Sequence, residues 1–111
     1  MKTVNLEVGM PLIHQALSKL GIELAAAKQQ GFSLVKLIHG YGSSGVGGDI
    51  RIAVQTRLRE MCDKSELRGY IFGEDWAVSD QQTWNVTRTH SELKQDRDLG
   101  RKNLGITIVL L

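Results

Sequence analysis

Cysteine is almost absent from this chain of 111 residues, in which Cys62 is the only one. A single cysteine can form neither an intramolecular disulfide nor a cysteine zinc site, so a disulfide framework and a zinc finger are both excluded. This usage fits a reducing compartment, and we expect a cytoplasmic protein.

Long hydrophobic runs are also missing. The apolar stretches at 34–38 and 106–111 are far too short to cross a bilayer, and the first residues lack the apolar segment of a signal peptide. We therefore expect no membrane partner and no export.

The chain has little excess of either charge, because 14 basic residues against 12 acidic ones leave a formal net charge of only +2. This surplus permits contact with polyanions but is far below that of a dedicated basic nucleic-acid binder. The hydrophobic fraction of 41% is typical of a globular protein, and the length suits one domain, which we expect over residues 1–111.

Alternation of apolar and polar residues, or short β-branched runs, predicts strands at 2–8, 32–38, 67–72 and 105–111. Apolar residues at helical spacing predict two helices, one from about Pro11 to a left-handed Gly31 and one over 50–62 after an N-cap at Asp49. The predicted fold is α/β: a two-layer sandwich with a mixed four-stranded sheet and two main helices, in the order β-α-β-α-β-β.

A polar excursion separates the last two strands, at about 73–103. Its composition predicts part helix and part mobile loop. Trp76 and Trp84 are expected to pin it to the domain, and the alternative is that they form a patch for a partner.

The most distinctive feature is the glycine-rich loop HGYGSSGVGG at 39–48, between a buried strand and a helix. Free N–H groups and the helix dipole attract phosphate at such a place, glycines allow close approach, and serine hydroxyls donate hydrogen bonds. The sequence therefore predicts a nucleic-acid-binding surface that contains His39, Gly40, Tyr41, Gly42, Ser43, Ser44, Gly45, Gly47, Gly48 and Arg51.

Two nucleotide-binding motifs are absent from this loop. Asp49 follows Gly48 where a Walker P-loop needs lysine, so ATP hydrolysis by that route is not expected. The GxGxxG spacing that begins at Gly40 continues through two more glycines before the helix, unlike a Rossmann fingerprint.

The segment LIHGYG at 37–42, the Gly/Ser run and IRIAVQTRL at 50–58 together resemble the IHGxG loop and following helix of the Smr (small MutS-related) family. The ending GITIVL at 105–110 is similar to that family's closing strand. The resemblance implies a fold like the C-terminal domain of bacterial translation initiation factor three, nucleic-acid binding, and in many members DNA-nicking or RNA-cleaving endonuclease activity. His39, Gly40 and Gly42 match the family motif.

The family's first-strand element Leu-Asp-x-His-Gly is missing. The chain has VNLEVG at 4–9, so Asn5 replaces the aspartate and no histidine follows. Asparagine cannot act as a general base and binds hard cations less well than a carboxylate does. Glu7 is the candidate replacement.

Several individual roles stay open. His39 either contacts phosphate or transfers protons, or it holds the loop in shape through hydrogen bonds. Tyr41 either stacks on a base or packs at the root of the loop. Arg51, in the first turn of the second helix, is the arginine best placed to meet phosphate.

Three functions follow as alternatives. The first is binding of DNA or RNA through the loop. The second is an endonuclease that uses His39 and Glu7, with a divalent metal possible, although no metal site is predicted because His14 and His90 lack partners at ligand spacing. The third is a protein-interaction module whose excursion recognises a partner and can be deleted without loss of the fold.

Overall fold

A computed structural model of the protein describes residues 1–42 and 47–111. The elements are β1 (Lys2–Asn5), α1 (Ile13–Gln29), β2 (Leu34–Ile38), α2 (Gly47–Asp63), β3 (Gly69–Phe72), α3 (Gln81–Thr89) and β4 (Ile106–Leu110), with short 3₁₀ turns at Gly73–Asp75 and Ser91–Gln95. The predicted α/β class and the order of the strands and two main helices are confirmed, and α3 is the helix of the excursion.

The four strands form one mixed sheet in the order β1-β2-β4-β3. β1 runs parallel to β2, with Val4 opposite Leu37, whereas β4 is antiparallel to both of its neighbours. β1, β2 and β3 therefore end where β4 begins. We call this the site end of the sheet and the other the distal end.

Side chains along each strand point alternately to the two faces of the sheet, and both faces are buried. One face packs against α1 and α2 through Val35, Leu37, Val109, Leu20, Leu24, Val54 and Leu58. The other face packs against the excursion through Leu34, Ile106, Ile108, Trp76, Val86 and Leu93. The two predicted layers are present, and the excursion additionally covers the second face of the sheet.

The excursion is part of the core. The expectation that it can be deleted without loss of the fold is wrong, because deletion would uncover the apolar second face of the sheet. Trp76 is 0% exposed and pins the excursion as expected, but Trp84 is 47% exposed and does not. Partner recognition by this segment stays a prediction.

Several predicted boundaries are corrected. β1 ends at Asn5 because the Asn5 side-chain oxygen accepts a hydrogen bond from the Glu7 amide at 2.8 Å, a local turn that competes with the strand. α1 begins at Ile13, two residues after Pro11. α2 begins at Gly47, so Asp49 lies in its first turn and is not an N-cap. Gly31 is left-handed, with φ of 86°, as expected.

None of the helices in the part of the chain that the structure covers combines the length and apolar character needed to cross a membrane.

Candidate functional site

The loops at the site end are joined by backbone hydrogen bonds. The amides of His39 and Gly40, just after β2, both donate to the carbonyl of Gly105, just before β4, at 2.9 and 3.1 Å. The strand order therefore places the histidine-glycine loop beside the end of the excursion. Of the predicted site residues, Ser43, Ser44 and Gly45 lie outside the described residues.

His39 points into the protein and is 0% exposed. Its Nδ1 lies 2.7 Å from the carbonyl oxygen of Gly40, and its Nε2 lies 2.9 Å from the hydroxyl of Thr107. Because a carbonyl only accepts, Nδ1 carries the proton, and the Thr107 hydroxyl donates to Nε2. Both ring nitrogens are satisfied, which is the geometry expected of a residue that holds the loop in shape.

Burial lowers the pKa of His39 below its usual 6.5. The positive charge of Arg51 acts in the same direction, whereas the hydrogen bond to Gly40 and the charge of Glu74 oppose it without cancelling it. The imidazole is therefore neutral at neutral pH.

The stability of the protein should consequently fall as the pH drops through 6.5 and keep falling down to the lowered pKa of folded His39, because the unfolded chain takes up a proton that folded His39 resists. Urea unfolding between about pH 7.5 and 5.5 measures this slope. A His39→Gln variant should show a shallower slope, whereas the exposed His14→Gln control should keep it. An unchanged slope in His39→Gln would contradict the assignment.

Glu7 lies against the backbone of the same loop. Gly40 has φ of 74°, and a Cβ built on it would be 2.6 Å from Oε2 of Glu7. Glycine is favoured at this position by its left-handed backbone, and the Glu7 carboxylate lies in the space that a side chain would occupy. The replacement carboxylate predicted from the sequence is next to the His39-Gly40 peptide, although the His39 ring faces away from it into the core.

Arg51 is neutralised by a partner that the sequence did not suggest. Its Nη2 lies 2.6 Å from a carboxylate oxygen of Glu74, which follows β3 at the site end. Asp49 adds an exposed carboxylate in the first turn of α2. The start of this helix therefore offers less attraction to phosphate than the predicted loop and dipole implied.

Tyr41 is 56% exposed, and one edge of its ring lies next to Gly105, where an added Cβ would be 3.3 Å from Cδ1, so the ring is partly packed and partly free. It lines a pocket with residues at and just after the end of the excursion: Asp98, Arg101, Lys102, Asn103 and Leu104. Sequence reasoning missed Arg101 and Lys102. Two consecutive basic residues between Gly100 and the closing strand could have drawn attention to this turn. The local sequence, however, does not indicate that they lie beside a tyrosine 60 positions earlier.

A buried cation fixes this last turn of the excursion. Lys36, in β2, is 5% exposed, and its Nζ lies 3.0 Å from a carboxylate oxygen of Asp96 and forms an ion pair with Asp98. The Trp76 indole donates to Asp96 at 2.9 Å, and the Asn103 amide donates to Asp98 at 3.0 Å. We call these five side chains the Lys36 network.

The Lys36 network also determines which charges face solvent. Burial raises the pKa of Asp98, but hydrogen bonds from Lys36 and Asn103 and the charge of Lys36 lower it by more, so it lies below the usual 3.8. Because Asp96 and Asp98 are paired with Lys36 and Asp98 is only 8% exposed, the exposed charges that line the pocket with Tyr41 are those of Arg101 and Lys102.

Within residues 1–42 and 47–111, no three side chains of the His, Cys, Asp or Glu type lie close enough together to hold one metal ion.

Comparisons with known proteins add information on the fold. No family model matches the sequence, and no curated protein matches it. Among solved structures, the chain is similar to the Smr domain of Thermus thermophilus MutS2, with a TM-score of 0.61, 20% identity, and coverage of 100% of this chain and 98% of that one. At this identity the likeness shows an Smr-type fold.

Proposed function

We propose that the protein binds nucleic acid at the site end of its sheet, through the pocket that Tyr41 lines. The observation that carries this proposal is an exposed aromatic ring beside two exposed cations, Arg101 and Lys102. Neither cation forms an ion pair with any residue that the structure describes. An aromatic platform next to free positive charge is the usual chemistry of single-strand binding.

The roles of the residues follow from their exposure. Tyr41 stacks on an unpaired base, which favours a single-stranded segment over a closed duplex. Arg101 and Lys102 neutralise the phosphates on either side of that base. Gly42, left-handed and without a side chain, allows the backbone to come close to the strand, whereas the space beside Gly40 is taken by the Glu7 carboxylate. His39 is a positioning residue, since its buried ring holds the Gly40 carbonyl.

The Smr-type fold and the sequence resemblance support the same proposal. The residues that match the family motif, His39, Gly40 and Gly42, flank Tyr41 in the loop. The resemblance therefore concerns the surface where the exposed ring and the two cations meet.

Charge removal at the pocket should weaken binding and reduce its salt dependence. Arg101→Gln combined with Lys102→Gln should lower the log–log salt slope by about 1.4 for a single strand. Tyr41→Ala should cost about 1 to 3 kcal/mol of binding free energy, as expected for one stacked base. Fluorescence anisotropy of labelled single-stranded DNA and RNA, measured across a salt series, gives both quantities.

The matched control removes two charges from another surface, with Arg57→Gln and Lys64→Gln in and after the C-terminal half of α2. This variant should keep the affinity within about twofold, because distant exposed charges contribute little through screened solvent. Absence of binding at low ionic strength would sink the proposal, and so would equal losses in the two double variants.

An Smr-type endonuclease is a second candidate, favoured by the Glu7 carboxylate against the Gly40 backbone. Exposed Glu7 can activate a water next to a bound strand, whereas His39 would first have to leave its two hydrogen bonds. The same oligonucleotides incubated with Mg²⁺ decide between binding and cleavage. If this candidate is right, the unaltered protein with Mg²⁺ cuts the oligonucleotides into fragments, and the Glu7→Gln variant binds them without cutting.

A further inference from the structure

A second pocket lies at the distal end of the sheet. It is formed where β2 and β3 begin, β4 ends and α3 crosses, and its polar lining includes Ser33, Arg68, Gln82, Arg88 and His90. We call it the distal pocket. The strands between it and the site end are up to five residues long, which corresponds to a separation of about 17 Å.

The distal pocket is rich in hydrogen-bond donors and positive charge. Arg68 and Arg88 are exposed, and neither forms an ion pair within the described part of the chain. No aspartate or glutamate is among the described residues that line the pocket. Two guanidinium groups without a carboxylate partner leave positive charge free to attract an anion.

The backbone at the start of β3 forms one wall of the pocket. The Arg68 amide donates to the Leu110 carbonyl at 2.9 Å, which fixes the start of β3 against the end of β4. The next residue is Gly69, and a Cβ built there would be 2.6 Å from the Gln82 amide nitrogen. The Gln82 side chain therefore lies over the strand at Gly69, and it lines the pocket together with Arg68 and Arg88.

His90 closes another wall of the pocket. Its Nε2 lies 3.2 Å from the Ser33 hydroxyl, and its Nδ1 lies 3.3 Å from the Val86 carbonyl. Nδ1 also lies 3.0 Å from the Thr89 hydroxyl, so either neutral tautomer satisfies both ring nitrogens. In either case the contact with Ser33 ties the C-terminal end of α3 to the start of β2. Arg88, two residues earlier in α3, lines the same pocket.

We propose that the distal pocket is a binding site for a phosphate group. The guanidinium fork matches the oxygens of phosphate in a bidentate way, and two forks with the amide donor of Gln82 suit a doubly charged tetrahedral anion. The phosphate is either free or part of a nucleotide or a strand. The site does not depend on Tyr41, because the two pockets share no lining residue.

The test is a residue-resolved titration of the full chain with inorganic phosphate, 5′-AMP and a short oligonucleotide, followed by ¹H–¹⁵N NMR at constant ionic strength. Saturable shifts of the Gln82 side-chain amide and of the Arg68 and Arg88 guanidinium signals are expected. Arg88→Gln should weaken phosphate binding at least about tenfold, the loss of one bidentate charged contact. Arg57→Gln, which removes the same charge on α2, should leave it within about twofold.

A second variant keeps the test independent of folding defects. Gln82→Glu places a carboxylate beside the two arginines, so it should preserve the fold and abolish phosphate binding by occupying both guanidinium groups.

Equal affinities for phosphate and 5′-AMP identify a free phosphate group as the ligand, and a much higher affinity for the oligonucleotide identifies a strand. Absence of saturable shifts with all three probes overturns the proposal, as does unchanged phosphate binding in Gln82→Glu. Shifts at these residues are read separately from those at Tyr41, so failure here and failure of nucleic-acid binding at the site end are distinguishable.

Discussion

Lys36→Met should lower the free energy of unfolding by about 3–5 kcal/mol, a large part of the total for a domain of this size. Methionine keeps the length and packing of the side chain but removes the charge that Asp96 and Asp98 share. Two largely buried carboxylates then repel each other without a cation, and the folded state must either protonate one or expose it.

Urea unfolding followed by circular dichroism measures this loss. Lys94→Met is the control, because Lys94 is exposed in the second 3₁₀ turn, and it should change the free energy by less than about 0.5 kcal/mol. Adding Asp96→Asn and Asp98→Asn to Lys36→Met should recover most of the stability, since neutral amides no longer need the lysine. If the triple variant is as unstable as Lys36→Met, lost packing and not lost charge is responsible.

Trp76→Ala should cost about 3–5 kcal/mol, the usual range for removing a large buried aromatic side chain. The ring is 0% exposed and packs on the second face of the sheet, and its indole nitrogen donates to Asp96 at 2.9 Å. The substitution therefore leaves a cavity under the excursion and removes a donor from the Lys36 network.

Trp84→Ala is the matched control, because it removes the same side chain from the same excursion. Trp84 is 47% exposed on α3, so its loss should cost about 1 kcal/mol or less. Thermal and urea unfolding of the two variants give the comparison. Similar losses in both would mean that the excursion is held by its overall composition and not by the Trp76 contact.

Hydrogen bonds connect the Tyr41 pocket to the Lys36 network on the second face of the sheet. The Asn103 oxygen accepts from the Gly105 amide at 2.8 Å, while its amide donates to Asp98, so the Lys36 network fixes the turn that carries Arg101 and Lys102. Lys102 has φ of 53°, a backbone conformation that must be held by its surroundings. Core substitutions in the network are therefore expected to disturb the Tyr41 pocket as well.

Local pattern was sufficient for the strands, the two main helices and their order. Periods of two and 3.6 residues arise from contacts within a few positions, and a glycine such as Gly31 ends a helix through its own backbone conformation. The same reasoning placed the histidine-glycine loop at the end of a central strand. The sequence by itself thus determined the α/β class and the position of the loop.

The tertiary structure decided what lies beside that loop and which way its side chains point. Only the strand order β1-β2-β4-β3 brings Tyr41 to Arg101 and Lys102, and only the buried side of β4 offers Thr107 to the His39 ring. Two tryptophans of similar local context differ because one meets the sheet and the other meets solvent. These outcomes depend on burial and on partners distant in sequence, and no local pattern encodes them.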